Sequence, residues 1–125
     1  MVAELAKRWA AALEATPASQ RSTHFLRERV DGVHYRHSPL GILANVVMPD
    51  MRTLVWTPAH ERHFLTPLVG APQTVCLTNC VVKHCRLRHS DPGFSSGSLP
   101  ILALARKGLS FEHLANLIRT YASEL

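Results

Sequence analysis

Long apolar runs are missing from this chain. Nothing in its 125 residues approaches the roughly 20 consecutive apolar residues that cross a bilayer. The opening segment MVAELAKRWAAALEA is interrupted by Glu4, Lys7 and Arg8, so it holds no secretory signal core. Also missing are G-x-S-x-G, a glycine-rich phosphate loop and a dinucleotide fingerprint. The six glycines stand singly, which argues against a nucleotide cradle. Internal repeats and low-complexity tracts are absent. The expectation is a soluble, intracellular protein without catalytic machinery, whose three cysteines, an odd number, stay reduced or hold a metal.

Lysine is scarce as well, with 3 residues against 11 arginines. Arginine suits planar recognition of carboxylate or phosphate, although a GC-rich genome yields the same ratio. The formal net charge of +5 favours an anionic partner, either nucleic acid or an acidic protein surface. An apolar content of 46% supplies one ordinary core, so a single domain over residues 1–125 is expected.

Val2, Leu5, Trp9, Ala12 and Leu13 recur at helical spacing and predict a first helix ending near Thr16 and Pro17. Ser38 reads as an N-cap with Pro39 at the first helical position, and Pro49 stops that short helix. WTPAHERHFLTPLVG repeats the device, with Thr57 as N-cap, Pro58 at the start and Gly70 past the end. TVCLTNCVVKHCRLRH is ambiguous. Its helical reading lines up Leu77, Val81, Cys85 and Arg88, while the Val81-Val82 pair tips the choice to strand. Ser98 caps a helix through about Lys107, Gly108 breaks it, and Ser110 caps a final helix bearing Leu114, Leu117, Ile118 and Tyr121. The fold class is therefore α+β: a small, mostly helical domain with a β-hairpin at about residues 25–37 and a further short strand pair within 74–88.

The hairpin LRERVDGVHYRH has an odd charge pattern. A two-residue turn at Asp31-Gly32 pairs Val30 with Val33, Arg29 with His34, Glu28 with Tyr35 and Arg27 with Arg36. Alternation then places Arg27, Arg29, His34 and Arg36 on one face, with Leu26, Val30, Val33 and Tyr35 inward. Like charges across a ladder cost stability. The cationic face is thus a candidate partner-binding surface, joined by Lys83, Arg86 and Arg88; a plain solvated surface is the alternative.

Cys76, Cys80, His84 and Cys85 form C-x3-C-x3-H-C, with His89 beyond. These are zinc-ligand types, but all fall in one segment without the separated pairs of a zinc module. No metal is expected, with zinc on these four residues as the rival. His34 and His37, and His60 and His63, form two H-x2-H pairs that lack a hydrolase carboxylate. ALARKGLSFEHLANLIRTY is similar to the first two helices of a helix-turn-helix, but no recognition helix fits before Leu125. A helical hairpin packed on the core is expected.

RWAAAL, YRHSPLGILANVV and LPILALARKGLSFEHLANLIRTY resemble, in order and approximate spacing, a family of small uncharacterised proteins encoded by tailed bacteriophages. Its members carry a tryptophan-bearing first helix, a CCLGVLCD-like block and a closing LNDxGxSFxEIAxxIE-like block. Tyr35 to Asn45 aligns with the second block and Leu104 to Ile118 with the third. His37 and Ser38 replace the family's paired cysteines, and Arg106 and Lys107 its acidic residues. The resemblance implies a phage protein. Small size, a single domain, the lack of catalytic motifs and the basic surface add the expectation of a non-enzymatic protein of the host cytoplasm that binds a host machine, either transcription machinery such as RNA polymerase or a defence complex, and inhibits or redirects it. The rival classes are a nucleic-acid-binding regulator and a zinc-stabilised binding module. No membrane partner is expected.

Overall fold

The computed structural model describes residues 1–94 and 99–125. Its centre is helix α2 (Pro39–Val47), apolar almost all round, with every residue but Asn45 and Val46 buried. Ser38 caps it as expected, its Oγ accepting the Gly41 N–H at 3.2 Å. Helix α1 (Ala3–Ala15) lays Leu5, Ala6, Trp9, Ala10 and Leu13 against the core, one stripe at helical spacing. Trp9 is fully buried and donates its Nε1–H to the Pro39 carbonyl at 2.8 Å, which satisfies its one polar atom.

Helix α3 (Asn79–Cys85) leads towards the closing pair, α4 (Ile101–Arg106) and α5 (Phe111–Tyr121). Gly108, at φ +102°, ends α4 through two reversed bonds, Leu109 N–H to Leu104 and Gly108 N–H to Ala105. Ser110 then caps α5 by accepting the His113 N–H at 3.1 Å. This is the expected helical hairpin, and α5 packs along α1. The expected Ser98 cap lies outside the described residues; Pro100 precedes the first turn of α4. No described helix is long and apolar enough to cross a membrane.

Strands β1 (Arg27–Arg29) and β2 (Tyr35–His37) form one antiparallel pair; β3 (Val55–Thr57) and β4 (Phe64–Thr66) form another. The fold is a small α+β domain, but two element assignments differ from expectation. The segment expected to be a helix from Thr57 to Gly70 instead falls within and after a hairpin spanning residues 55–66. β-Branched and aromatic side chains at Val55, Trp56, Thr57 and Phe64 pair across it, and the Thr57 and Thr66 hydroxyls bond at 2.7 Å. Residues 79–85 are helical rather than strand. Val81 and Cys85, four apart, share one buried face, and Arg86 in the left-handed region closes the helix. The strand pair expected within 74–88 is therefore replaced by the one at 55–66.

The first hairpin also differs in register. Arg27 faces His37, Glu28 faces Arg36 and Arg29 faces Tyr35, one residue away from the expected pairing. An Asp-Gly turn of type I′ needs positive φ at both positions, and Gly32 does not adopt it. Instead the Asp31 carboxylate accepts the N–H groups of Val33 and His34, each at 3.0 Å, and the connection lengthens to Val30–His34. A one-residue slip exchanges the faces. Val30 and Val33, expected inward, are 46% and 77% exposed.

The hairpin is held to α2 by an unusually close approach. A Cβ on Gly41 would lie 1.8 Å from the Leu26 carbonyl oxygen and 2.7 Å from its carbonyl carbon, so only glycine fits there. Gly41→Ala is expected to cost about 3 kcal/mol or more in urea unfolding, because backbone must move. Gly108→Ala, with positive φ but open space around it, should cost only about 1 kcal/mol. Equal losses at the two sites would show that the α2–β1 contact is not tight.

Candidate functional site

The register slip redistributes the cations expected on one face. Arg27 and Arg29 share a face with Tyr35 and His37, while Arg36 lies on the opposite face with Glu28. His34 is in the loop, its ring 2.8 Å from the Asp31 carboxylate. The four-cation face therefore does not form. Lys83, Arg86 and Arg88 are exposed, but their segment is anchored beside the chain ends, with Val2 N–H bonded to Cys85 and Arg88 N–H to Leu125.

The cysteine cluster is not gathered into a metal site either. Cys80 Sγ meets the Thr78 hydroxyl at 3.1 Å, Cys85 is buried in the core, and His84 is exposed. Burial pushes the Cys85 thiol up to about 11, and burial followed by the Asp91 charge raises that of Cys76, which keeps both protonated. Among the described residues no group of three or more His, Cys, Asp and Glu side chains could hold a metal ion.

The two hairpins instead assemble a constellation that local spacing could not reveal. Residues 61–63 lie along the free edge of β1: Arg29 N–H donates to the Glu61 carbonyl, and His63 N–H to the Arg27 carbonyl at 2.9 Å. Glu28 and Arg62 are bridge partners, so alternation places His63 on the same face as Arg27, Tyr35 and His37. From β3, Trp56 joins this face, its Nε1–H bonded to Asn45 Oδ1 of α2 at 2.8 Å. Arg27 lies over the Tyr35 ring at 3.9 Å and over the Trp56 ring at 5.5 Å. Tyr35 meets His63 edge-on with centroids 5.2 Å apart, and His37 meets Trp56 at 5.9 Å.

This cluster is electrostatically unfinished. Among the described residues, ion pairs join Arg8 to Asp50, Arg21 to Glu112, His34 to Asp31 and Arg119 to Glu14, and Arg27 belongs to none of these. Arg27 Nε, His37 Nε2 and His63 Nδ1 are buried without a hydrogen-bond partner among the described residues. Each such group costs about 1–3 kcal/mol, so the cluster is a local concentration of unfavourable energy. Burial and then the Arg27 charge push His37 down to about 4 and lower His63 too, so both rings are neutral at pH 7. Perturbed groups gathered in this way mark functional sites more often than plain surface.

One histidine from each H-x2-H pair thus meets the other beside an arginine. Sequence spacing missed Tyr35, placed on the wrong face, His63, placed on a helix, and Trp56, placed just ahead of that helix. The β-forming run Leu54-Val55-Trp56-Thr57 was the available signal. Comparison with protein-family models, curated proteins and solved structures finds no match for this chain.

The lowered imidazoles couple stability to acid. Above pH 6.5 both folded and unfolded states carry neutral rings. As pH falls from 6.5 towards 4, the unfolded chain binds a proton at His37 that the folded chain refuses, and stability declines. The ceiling for His37 is about 3 kcal/mol, the cost of that shift. Urea midpoints between pH 7 and pH 5 should fall less steeply in His37→Phe than in the wild type; parallel slopes would remove His37 as the source.

Proposed function

We propose that this is a non-enzymatic binding protein of bacteriophage origin that docks on a host protein complex and inhibits or redirects it. The observation that carries this reading is the uneven surface. Of the eight large apolar side chains exposed among the described residues, six are on the hairpins or their connections: Val30, Val33, Val55, Phe64, Leu68 and Val69. Leu68 and Val69 are 76% and 84% exposed, far beyond what folding requires. Arg29, Arg36 and Arg62 are exposed among them. Exposed apolar groups interspersed with arginine form the chemistry of protein interfaces, where arginine supplies both contact area and charge. Transcription machinery such as RNA polymerase, or a defence complex, is the target class, in keeping with the phage resemblance.

Nucleic-acid binding is the second reading. It is favoured by the presence of Tyr35 and Trp56, rings of the kind that stack on bases, on the same face as Arg27. It ranks lower because both rings already contact the Arg27 guanidinium.

The test is affinity capture from nuclease-treated host lysate with the wild type and with R29E/R36E. The expected result is one host complex retained by the wild type and reduced at least about tenfold in the variant. Retention should weaken as salt rises from about 50 to 500 mM. Circular dichroism should be unchanged, since both side chains are exposed. Equal capture by the variant would refute the cationic contact, and a complex lost on nuclease treatment would move the assignment to nucleic acid.

A further inference from the structure

The unpartnered nitrogens are confined to one place. All three buried side-chain nitrogens without a partner among the described residues belong to Arg27, His37 and His63. They come from three separate segments, β1, β2 and the stretch before β4, which the backbone bonds bring onto one face. His63 is only 4% exposed, so its ring is built into the fold and aimed inward; Arg27 and His37 are half-buried.

We propose that Arg27, His37 and His63 form a recognition site for a single carboxylate, presented by an acidic side chain of the protein partner. The inference rests on the binding function proposed above and specifies the group recognised. Three features select a carboxylate. Arg27 is the half-buried permanent cation of this face, Arg29 being exposed to solvent two residues on, and its planar fork matches a carboxylate with two parallel bonds. The rings of Tyr35 and Trp56 restrain the guanidinium, so less freedom is lost when the ligand arrives. The two imidazoles are neutral, and each carries one N–H that can occupy the unpartnered nitrogen. One positive charge with two neutral donors balances a monoanion. A phosphate dianion would bring a second, uncompensated charge into a half-desolvated site. The three nitrogens are shielded from solvent, so the carboxylate would enter as the Arg27 side chain slides along the two rings while keeping its contact with them.

The site can be probed without knowing the partner. The wild-type protein is titrated at pH 7.5 with sodium acetate, and separately with sodium chloride and inorganic phosphate at matched ionic strength. Histidine ring and tryptophan indole resonances are followed by NMR. Trp9, sealed in the core on Pro39, is the internal control. Acetate should produce saturable shifts at His37, His63 and the Trp56 indole, with the Trp9 indole unmoved. Arg27→Gln should weaken the response at least about tenfold, and Arg27→Lys by a smaller factor because it keeps charge but loses the fork. No saturable acetate response in the wild type would overturn the proposal, whether or not the variants fold. So would a response to phosphate alone, or a shift of equal size with chloride. Loss of lysate capture in R29E/R36E together with an absent acetate response would refute the carboxylate site and leave the binding function standing. An acetate response in a protein that captures no host complex would refute the binding function and leave the site.

Discussion

The contact between Gly41 and the Leu26 backbone sets the geometry on which the rest of the molecule depends. Helix α2 reaches the Leu26 backbone, just ahead of β1, so closely that no side chain can intervene, and both residues are sealed from solvent. Around that point the chain is tied by Ser38 N–H to the Phe25 carbonyl at 3.2 Å and by Leu26 N–H to Thr74 at 2.8 Å. On its other side α2 receives Trp9, which bonds to Pro39. One helix therefore joins the helical half to the hairpin half, and a shift at Gly41 would be felt in both because packed interiors transmit displacement.

From that junction the position of the polar cluster follows. Asn45, the exposed residue of α2, points out of the helical layer and fixes the Trp56 indole. Trp56 then covers Arg27, while backbone bonds from residues 61–63 to β1 bring His63 beside it. Arg27, the first residue of β1, directly follows Leu26, so the entry to the strand places one side chain in the core and the next in the cluster. Alternation along β1 thereby separates the apolar and polar faces within two residues.

Where a signal is local, it was readable in the chain. The Ser38-Pro39 start of α2, the Gly108 stop of α4 and the Ser110 cap of α5 each depend on residues within a turn of one another, and each forms as expected. The hairpin at 25–37 was also legible, but its register was not, because Asp31 can build two turns of nearly equal plausibility and the side-chain bonds to Val33 and His34 decide between them. Thr57-Pro58 carries the same local start signal as Ser38-Pro39. At residue 57 that signal is overruled by cross-strand pairing with Phe64 and by the bonding of residues 61–63 to β1, which no local window contains. Similarly, Val81-Val82 favours strand by propensity, yet burial of Val81 with Cys85 selects the helix. The candidate site was least legible because it requires Arg27, Trp56 and His63 at once, and each error of register or element type scattered them.

Folding accounts for much of this region without Arg27. The β1–β2 pairing uses backbone groups, Leu26 and Leu65 fill the core, and Trp56 is held by Asn45. An apolar residue at position 27 would cover the same rings without leaving a guanidinium nitrogen unpartnered. It would also lift part of the field that depresses His37 and His63. A charge retained in a half-buried place, with no counter-charge paired to it, lowers the stability of the isolated chain and raises the energy released when an anion arrives. On the binding function proposed above, this arrangement reads as one half of an interaction, with the stabilising anion supplied by the other half. Arg21 differs from Arg27 in this respect, because its guanidinium is paired with Glu112 and stacked on Phe111. Arg21 therefore ties two elements of the fold together, whereas the Arg27 guanidinium contacts rings and leaves Nε without a partner among the described residues.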